Sequence, residues 1–210
     1  MVRERTWDPT VPAPDWFGRA IAIVPETSEV TVAGARVRLH AWGSEADPTL
    51  VLVHGGAAHA HWWSPLAPLL ADRFRVVALD LTGHGDSDRR DVYAVTTWAD
   101  EVLAAAAEAG GRGRPVVVGH SMGGFVTIAT AALHGERLEG AVVIDSPVTR
   151  PDPETTEGVS GAMFRAPKIY PDLAEGVRHF HLVPPQPCAN GWLVGHVAEH
   201  SLRPVDGGVA

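Results

Sequence analysis

Gly119-His120-Ser121-Met122-Gly123 sets one hydroxyl between two glycines in a G-x-S-x-G pattern. A serine oxygen becomes a useful nucleophile when the backbone lifts it clear and a neighbouring base takes its proton. The glycines meet the first need: a sharp turn strains the middle residue, and flanking positions without Cβ let nearby chain approach. The Met122 N–H then opens a helix, where free donors and the positive dipole end favour an anion. His54-Gly55-Gly56 forms a second glycine corner, and the Gly56 N–H is read as a second donor. Each donor of this kind is typically worth ~3–4 kcal/mol at an acyl-transfer transition state.

Other reactive residue types are less decisive. Asp145 closes a later strand, where it serves either as an acid orienting a base or as a plain strand-end aspartate. Asp80-Leu81-Thr82-Gly83-His84-Gly85-Asp86-Ser87-Asp88 is a polar, glycine-rich turn with a structural role, and His84 reads as a turn residue rather than a base. His120 flanks the serine but points elsewhere on a sharp turn, and His134 lies at the far end of the next helix. His179, His181, His196 and His200 lie in the C-terminal region, and residue type alone singles out none of these as the base.

His196-Val197-Ala198-Glu199-His200 matches the zinc-peptidase pattern H-x-x-E-H. On a helix His196 and His200 share a face, with Glu199 as general base. Zinc needs a third protein ligand, and Asp206, in a loop beside Pro204 and Gly207-Gly208, is the sole acid that follows. Two surface histidines on a helix is the preferred reading, and neither metal nor cofactor is expected. Trp62-Trp63 reads as core packing in preference to the wall of an acyl pocket.

The elements that hold these residues follow from apolar patterning. Glu29–Val32 and Arg36–Trp42 flank Ala33-Gly34-Ala35 as a hairpin. Leu50–Val53 is a fully apolar strand, as expected where both faces are covered. Ser64-Pro65 is expected to start a helix with Trp62, Leu66, Leu69 and Leu70 on one side. Arg75–Asp80 is a strand. Thr97 is expected to cap a helix to Ala109, with Asp100 and Glu101 in its first turn and Gly110-Gly111 after it. Pro115–Val118 is a strand, Met122–Leu133 a helix and Gly140–Asp145 a strand. This alternation predicts an α/β fold, a mostly parallel sheet with helices on both faces.

Three regions result: an irregular lead-in over residues 1–28, pinned by Trp7, Trp16 or Phe17; a six-stranded core over 29–146; and a lid-like segment over 147–210. From Ser146 onward nine prolines and four histidines occur without a clear period. Short helices are expected there at Val177–Leu182 and Trp192–Leu202.

Composition narrows the classes. The 210 residues suit one domain, and 45% hydrophobic with 20% charged residues is ordinary globular usage. With 25 acidic against 17 basic side chains the net charge is −8, which opposes nucleic-acid binding. The lone Cys188 forms no internal disulfide, and Met1–Pro9 is too charged for a signal peptide, so a cytoplasmic protein is expected. The uncharged run Val116–Leu133 is long enough for a membrane span, but Gly119–Gly124 divides it into strand, turn and helix.

His54-Gly55-Gly56, then Asp-x-x-Gly-His-Gly-x-Ser from Asp80, then Gly119–Gly124 resemble the α/β-hydrolase family in order and spacing, over roughly residues 29–146. The resemblance implies a sheet of about eight strands, a lid inserted after the sixth strand, Ser121 as nucleophile, and Gly56 and Met122 as oxyanion donors. A serine at the elbow points away from the haloalkane-dehalogenase and epoxide-hydrolase branches. The family base is a histidine after the last strand. Only six strands are legible here, so the last two strands and that histidine have no counterpart, and an incomplete hydrolase is expected.

The expected function is esterase-like cleavage of a small or medium acyl compound, without a cofactor. The alternatives are a non-catalytic binding module or fragment and, remotely, the zinc peptidase of His196, Glu199 and His200. An unpaired sheet edge in the shortened fold predicts self-association.

Overall fold

The computed structural model describes residues 6–146, 168–183 and 185–210. Residues 147–167, the start of the lid-like segment, and Pro184 lie outside the described residues. The chain divides into two compact units, one over Ala13–Ser146 and one from the chain ends, Met1–Pro12 and Pro147–Ala210.

The Ala13–Ser146 unit contains α1 (Asp15–Ile21), β1 (Glu26–Val32), β2 (Ala35–Trp42), β3 (Pro48–Val53), α2 (Ala67–Leu70), β4 (Arg75–Leu79), α3 (Val95–Ala109), β5 (Arg112–His120), α4 (Met122–His134) and β6 (Gly140–Ile144). Its sheet runs β1-β2-β4-β3-β5-β6. The β1–β2 hairpin and the β2–β4 pair are antiparallel, while β3, β4, β5 and β6 are parallel. The C-terminal ends of these four strands therefore share one edge, and the family motifs all lie along it.

Alternation explains why the strands bury both faces. Val51, Val53, Val77, Leu79 and Val117 join Val102, Leu103 and Val126 from α3 and α4 in one core. Leu50, Leu52, Val76 and Ala78 pack with Trp42, Ala60 and Ala67 on the opposite face. Each fully buried Val or Leu contributes roughly 1.5–3 kcal/mol, so the β3–β4 centre fixes the edge on which the motifs sit.

Several local expectations are corrected. The lead-in holds α1, and β1 begins at Glu26, not Glu29. A short 3-10 turn at Ala60–Trp62 precedes α2, whose cap position is Leu66. Ser64 instead lies 3.1 Å from His61 Nδ1. Ala67 and Pro68 bury while Leu66, Leu69 and Leu70 are exposed, because so short a helix turns only its small residues to the sheet. Trp63 packs on the second core. Helix α3 begins at Val95 without a side-chain cap, so Thr97 is interior; it ends at Gly110 in the left-handed region, as expected. The membrane suspect resolves into β5, a turn and α4, and among the described residues no helix is long and apolar enough to cross a membrane.

The other unit carries α5 (Leu173–His179), α6 (Gly191–Ser201) and the hairpin of β7 (Pro204–Val205) and β8 (Gly208–Val209). Trp7 anchors it: the indole N–H donates to the Phe180 carbonyl at 3.0 Å, and its backbone bridges to Cys188. Helix α5 starts earlier than the Val177–Leu182 expectation, because Asp172 Oδ1 caps it by accepting from Glu175 N–H at 2.8 Å. Helix α6 matches Trp192–Leu202 to within a residue.

Candidate active site

The β5–α4 corner turns at Ser121, whose backbone has φ 53° and ψ −117°. That combination favours glycine and costs a non-glycine residue roughly 1–3 kcal/mol. The neighbours over-determine it. Ser121 N–H donates to the Ile144 carbonyl at 2.9 Å, and the Ser121 carbonyl accepts from Gly124 N–H at 2.9 Å and Ser146 Oγ at 2.7 Å. A Cβ at Gly119 would overlap the Gly123 carbonyl and Thr127 Oγ1; one at Gly123 would lie 2.5 Å from the carbonyl oxygens of Val53 and His54. Both glycines are thus required by close backbone approach. Among the described residues, none hydrogen-bonds Ser121 Oγ.

The β3 corner abuts this turn. A Cβ at Gly55 would lie 3.4 Å from Ser121 Cβ, and one at Gly56 would lie 3.8 Å from Met122 Cβ. Gly56 and Met122 therefore stand side by side next to the serine. Ala57, just beyond, has φ 54°.

Asp145 follows β6 at φ 49° with a side chain 90% exposed, and its Oδ2 lies 4.0 Å from His120 Nε2. The His120 ring lies against Gly55, where an added Cβ would be 3.0 Å from its Nδ1. His134 pairs with Asp100 at 3.3 Å between α4 and α3. His179 and His200 donate from Nδ1 to the carbonyls of Glu175 and His196, one helical turn back. The His196 and His200 rings lie 4.4 Å apart on one face of α6, tilted by 47°, as the H-x-x-E-H spacing requires, yet among the described residues no group of three or more His, Cys, Asp or Glu converges as a metal site.

Sequence reasoning missed the buried polar residues beneath the site. His54 is buried, donates from Nδ1 to the Gly55 carbonyl at 2.7 Å and accepts at Nε2 from Leu81 N–H at 3.1 Å. Burial, and next His84 with its ring 4.9 Å away, lower its pKa to about 4, so the imidazole is neutral. Burial also lowers His84. Asp80 is buried too, which by itself raises its pKa; N–H donors from Ala60 and Asp86 at 2.7 Å, with His54 and His40 nearby, outweigh that and keep it ionised.

Glu101, expected in a first turn, is instead fully buried in α3. It accepts from Thr82 N–H at 2.9 Å, Thr82 Oγ1 at 2.6 Å and Arg90 at 3.1 Å. Asp80 and Glu101 thus hold the Asp80–Asp88 turn from two sides, which supports its structural role. The signal for Glu101 was present: it falls three residues after Trp98 and four before Ala105, on the apolar stripe of the helix.

Comparison with known proteins agrees with the fold. The profile of the alpha/beta hydrolase fold family matches residues 48–184, and the chain belongs to that family. It is 26% identical over 176 residues to 2-(acetamidomethylene)succinate hydrolase of Mesorhizobium japonicum, covering 83% of this chain and 62% of the relative. It is 34% identical over 97 residues to pimeloyl-[acyl-carrier protein] methyl ester esterase of Edwardsiella ictaluri, covering 46% of this chain and 36% of the relative. The crystal structure of E-2-(acetamidomethylene)succinate hydrolase superposes with a TM-score of 0.75 at 24% identity, over 88% of this chain and 67% of that one. The chain thus spans less than two thirds of the length of these two curated relatives.

Proposed function

We propose that the chain is a serine hydrolase that cleaves a small or medium carboxylic ester or related acyl compound. The observation that carries this reading is the strained, half-buried corner at Ser121 with Gly56 and Met122 beside it. Ser121 Oγ attacks the acyl carbonyl carbon, and the N–H groups of Gly56 and Met122 receive the developing oxyanion. The leaving-group bond then breaks, and the leaving alcohol takes the proton lost by Oγ. Water hydrolyses the acyl-serine and releases the carboxylic acid. The resemblance assigns the proton carrier to a histidine and leaves Asp145 as its acid. Relatives named for an ester and for a succinate derivative support an acyl substrate.

The segment after Ser146 is proposed as an inserted or appended unit, in keeping with the division of the chain there. Self-association through β6 is part of the same proposal. This edge strand carries no charge, and its Val142 and Ile144 are 46% and 42% exposed.

A panel of p-nitrophenyl esters of increasing acyl length tests the activity. Turnover that disappears in Ser121→Ala supports the hydrolase. A folded chain inert toward every ester and toward fluorophosphonates supports the binding module instead.

A further inference from the structure

The loop after β3 carries an internal constraint that the proposed chemistry above does not use. His54 Nδ1 lies 2.7 Å from the Gly55 carbonyl oxygen, which only accepts, and His54 Nε2 lies 3.1 Å from Leu81 N, which only donates. These two partners fix the tautomer without reference to any observed hydrogen: Nδ1 carries the proton and Nε2 is bare. The imidazole is buried, so water does not compete for either bond.

The Gly55 carbonyl and the Gly56 N–H belong to one peptide plane. In a trans peptide these two groups point in opposite directions. Holding the carbonyl toward the buried His54 ring therefore turns the Gly56 N–H the opposite way, in a loop where Gly56 lies against Met122 and Gly55 against Ser121. Two glycines in sequence leave this plane otherwise free to flip, since neither has a Cβ to resist rotation. Ala58 N–H, at 3.3 Å from the same carbonyl, adds only a weaker hold.

We propose that His54 is a positioning residue: its neutral Nδ1–H tautomer locks the Gly55–Gly56 peptide so that the Gly56 N–H faces the nucleophile corner, and the Leu81 N–H at the end of β4 locks the tautomer. The inference rests on the serine-hydrolase reading of Ser121 and deepens it. Oxyanion recognition then depends on a chain of contacts from β4 through an imidazole to one amide.

Paired substitutions separate the two halves of this contact. Asn at position 54 offers an N–H near the place of Nδ1 and keeps the bond to Gly55. Gln offers an oxygen near the place of Nε2 and keeps the bond to Leu81. Each loses one hydrogen bond, so a merely structural role predicts that labelling follows thermal stability in both. The experiment measures the rate of Ser121 phosphonylation by a fluorophosphonate in the wild-type chain, His54→Asn and His54→Gln, alongside each melting temperature.

The expected result is a rate within about fivefold of wild type for His54→Asn and a loss of about 100-fold or more for His54→Gln, the size of a lost oxyanion donor. Nitrogen NMR of the wild-type ring at neutral pH is expected to show the Nδ1–H form. A wild type that labels beside a His54→Gln that labels equally fast overturns this inference alone, as does an Nε2–H ring. A folded wild type that never labels overturns the serine reading and this inference with it.

Discussion

At the start of β4, the buried Arg75 donates to the carbonyls of Ala109 and Gly43 at 2.9 and 2.7 Å and to Glu26 at 2.7 Å, in ordinary backbone geometry. At the opposite edge, where β3, β5 and β6 end, Ala57, Ser121 and Asp145 all have positive φ; Ala33 of the β1–β2 turn is the only other such non-glycine among the described residues. One end of the sheet is relaxed and saturated with partners, and the other concentrates strain. Strain persists where surrounding contacts enforce it, and it gathers where a side chain must be presented rather than packed. The difference marks the edge that carries the proposed site without reference to any motif.

The largest effect is expected from enforcing contacts at the strained edge. Gly123→Ala drives a Cβ into the carbonyls of Val53 and His54 and is expected to cost about 4 kcal/mol in urea unfolding, since backbone cannot step aside. An unchanged midpoint would show that these backbone contacts do not hold the corner.

Next comes acid. His54 is neutral in the fold down to about pH 4, whereas the unfolded chain binds a proton below about 6.5. The unfolded state therefore gains protons first as pH falls, and stability drops between these values by about 3 kcal/mol. His84 acts in the same direction. The carboxylates of Glu26 and Asp80, held below their ordinary values, lose their contributions only at lower pH still. Urea titrations at pH 7 and pH 4.5 measure the slope, and His54→Asn is expected to flatten it.

Arg75→Met probes the relaxed end. It leaves two carbonyls without their donor and is expected to cost about 2 kcal/mol while leaving Ser121 labelling unchanged. The smallest effect is confined to one residue. Ser121→Gly is expected to be about 1 kcal/mol more stable than Ser121→Ala, because only glycine sits easily at φ 53°, ψ −117°.

What was legible in the sequence was local. Gly119 and Gly123 flank Ser121 at fixed spacing between an apolar strand and a helix, so the corner reads directly from residue order. The unbroken apolar runs of β3 and β4 likewise indicate strands covered on both faces. Helix starts were read less well: Ser64 and Thr97 are good caps in isolation, but α2 and α3 begin where packing allows, at Ala67 and Val95. The buried group of His54, Asp80, Thr82 and Glu101 was hidden for a different reason. Their partners come from β3, the β4 turn and α3, and only the folded sheet brings these together. The β1-β2-β4-β3-β5-β6 order was no more legible, because strand neighbours are chosen by tertiary packing.

The most direct test is mass-spectrometric mapping of a fluorophosphonate adduct on the intact chain. A single adduct is expected on Ser121 Oγ, absent from Ser121→Ala and slowed by Gly119→Ala, which disturbs the corner without touching the hydroxyl. A folded chain that takes no adduct, or takes it on another residue, contradicts the assignment of that corner as the nucleophile.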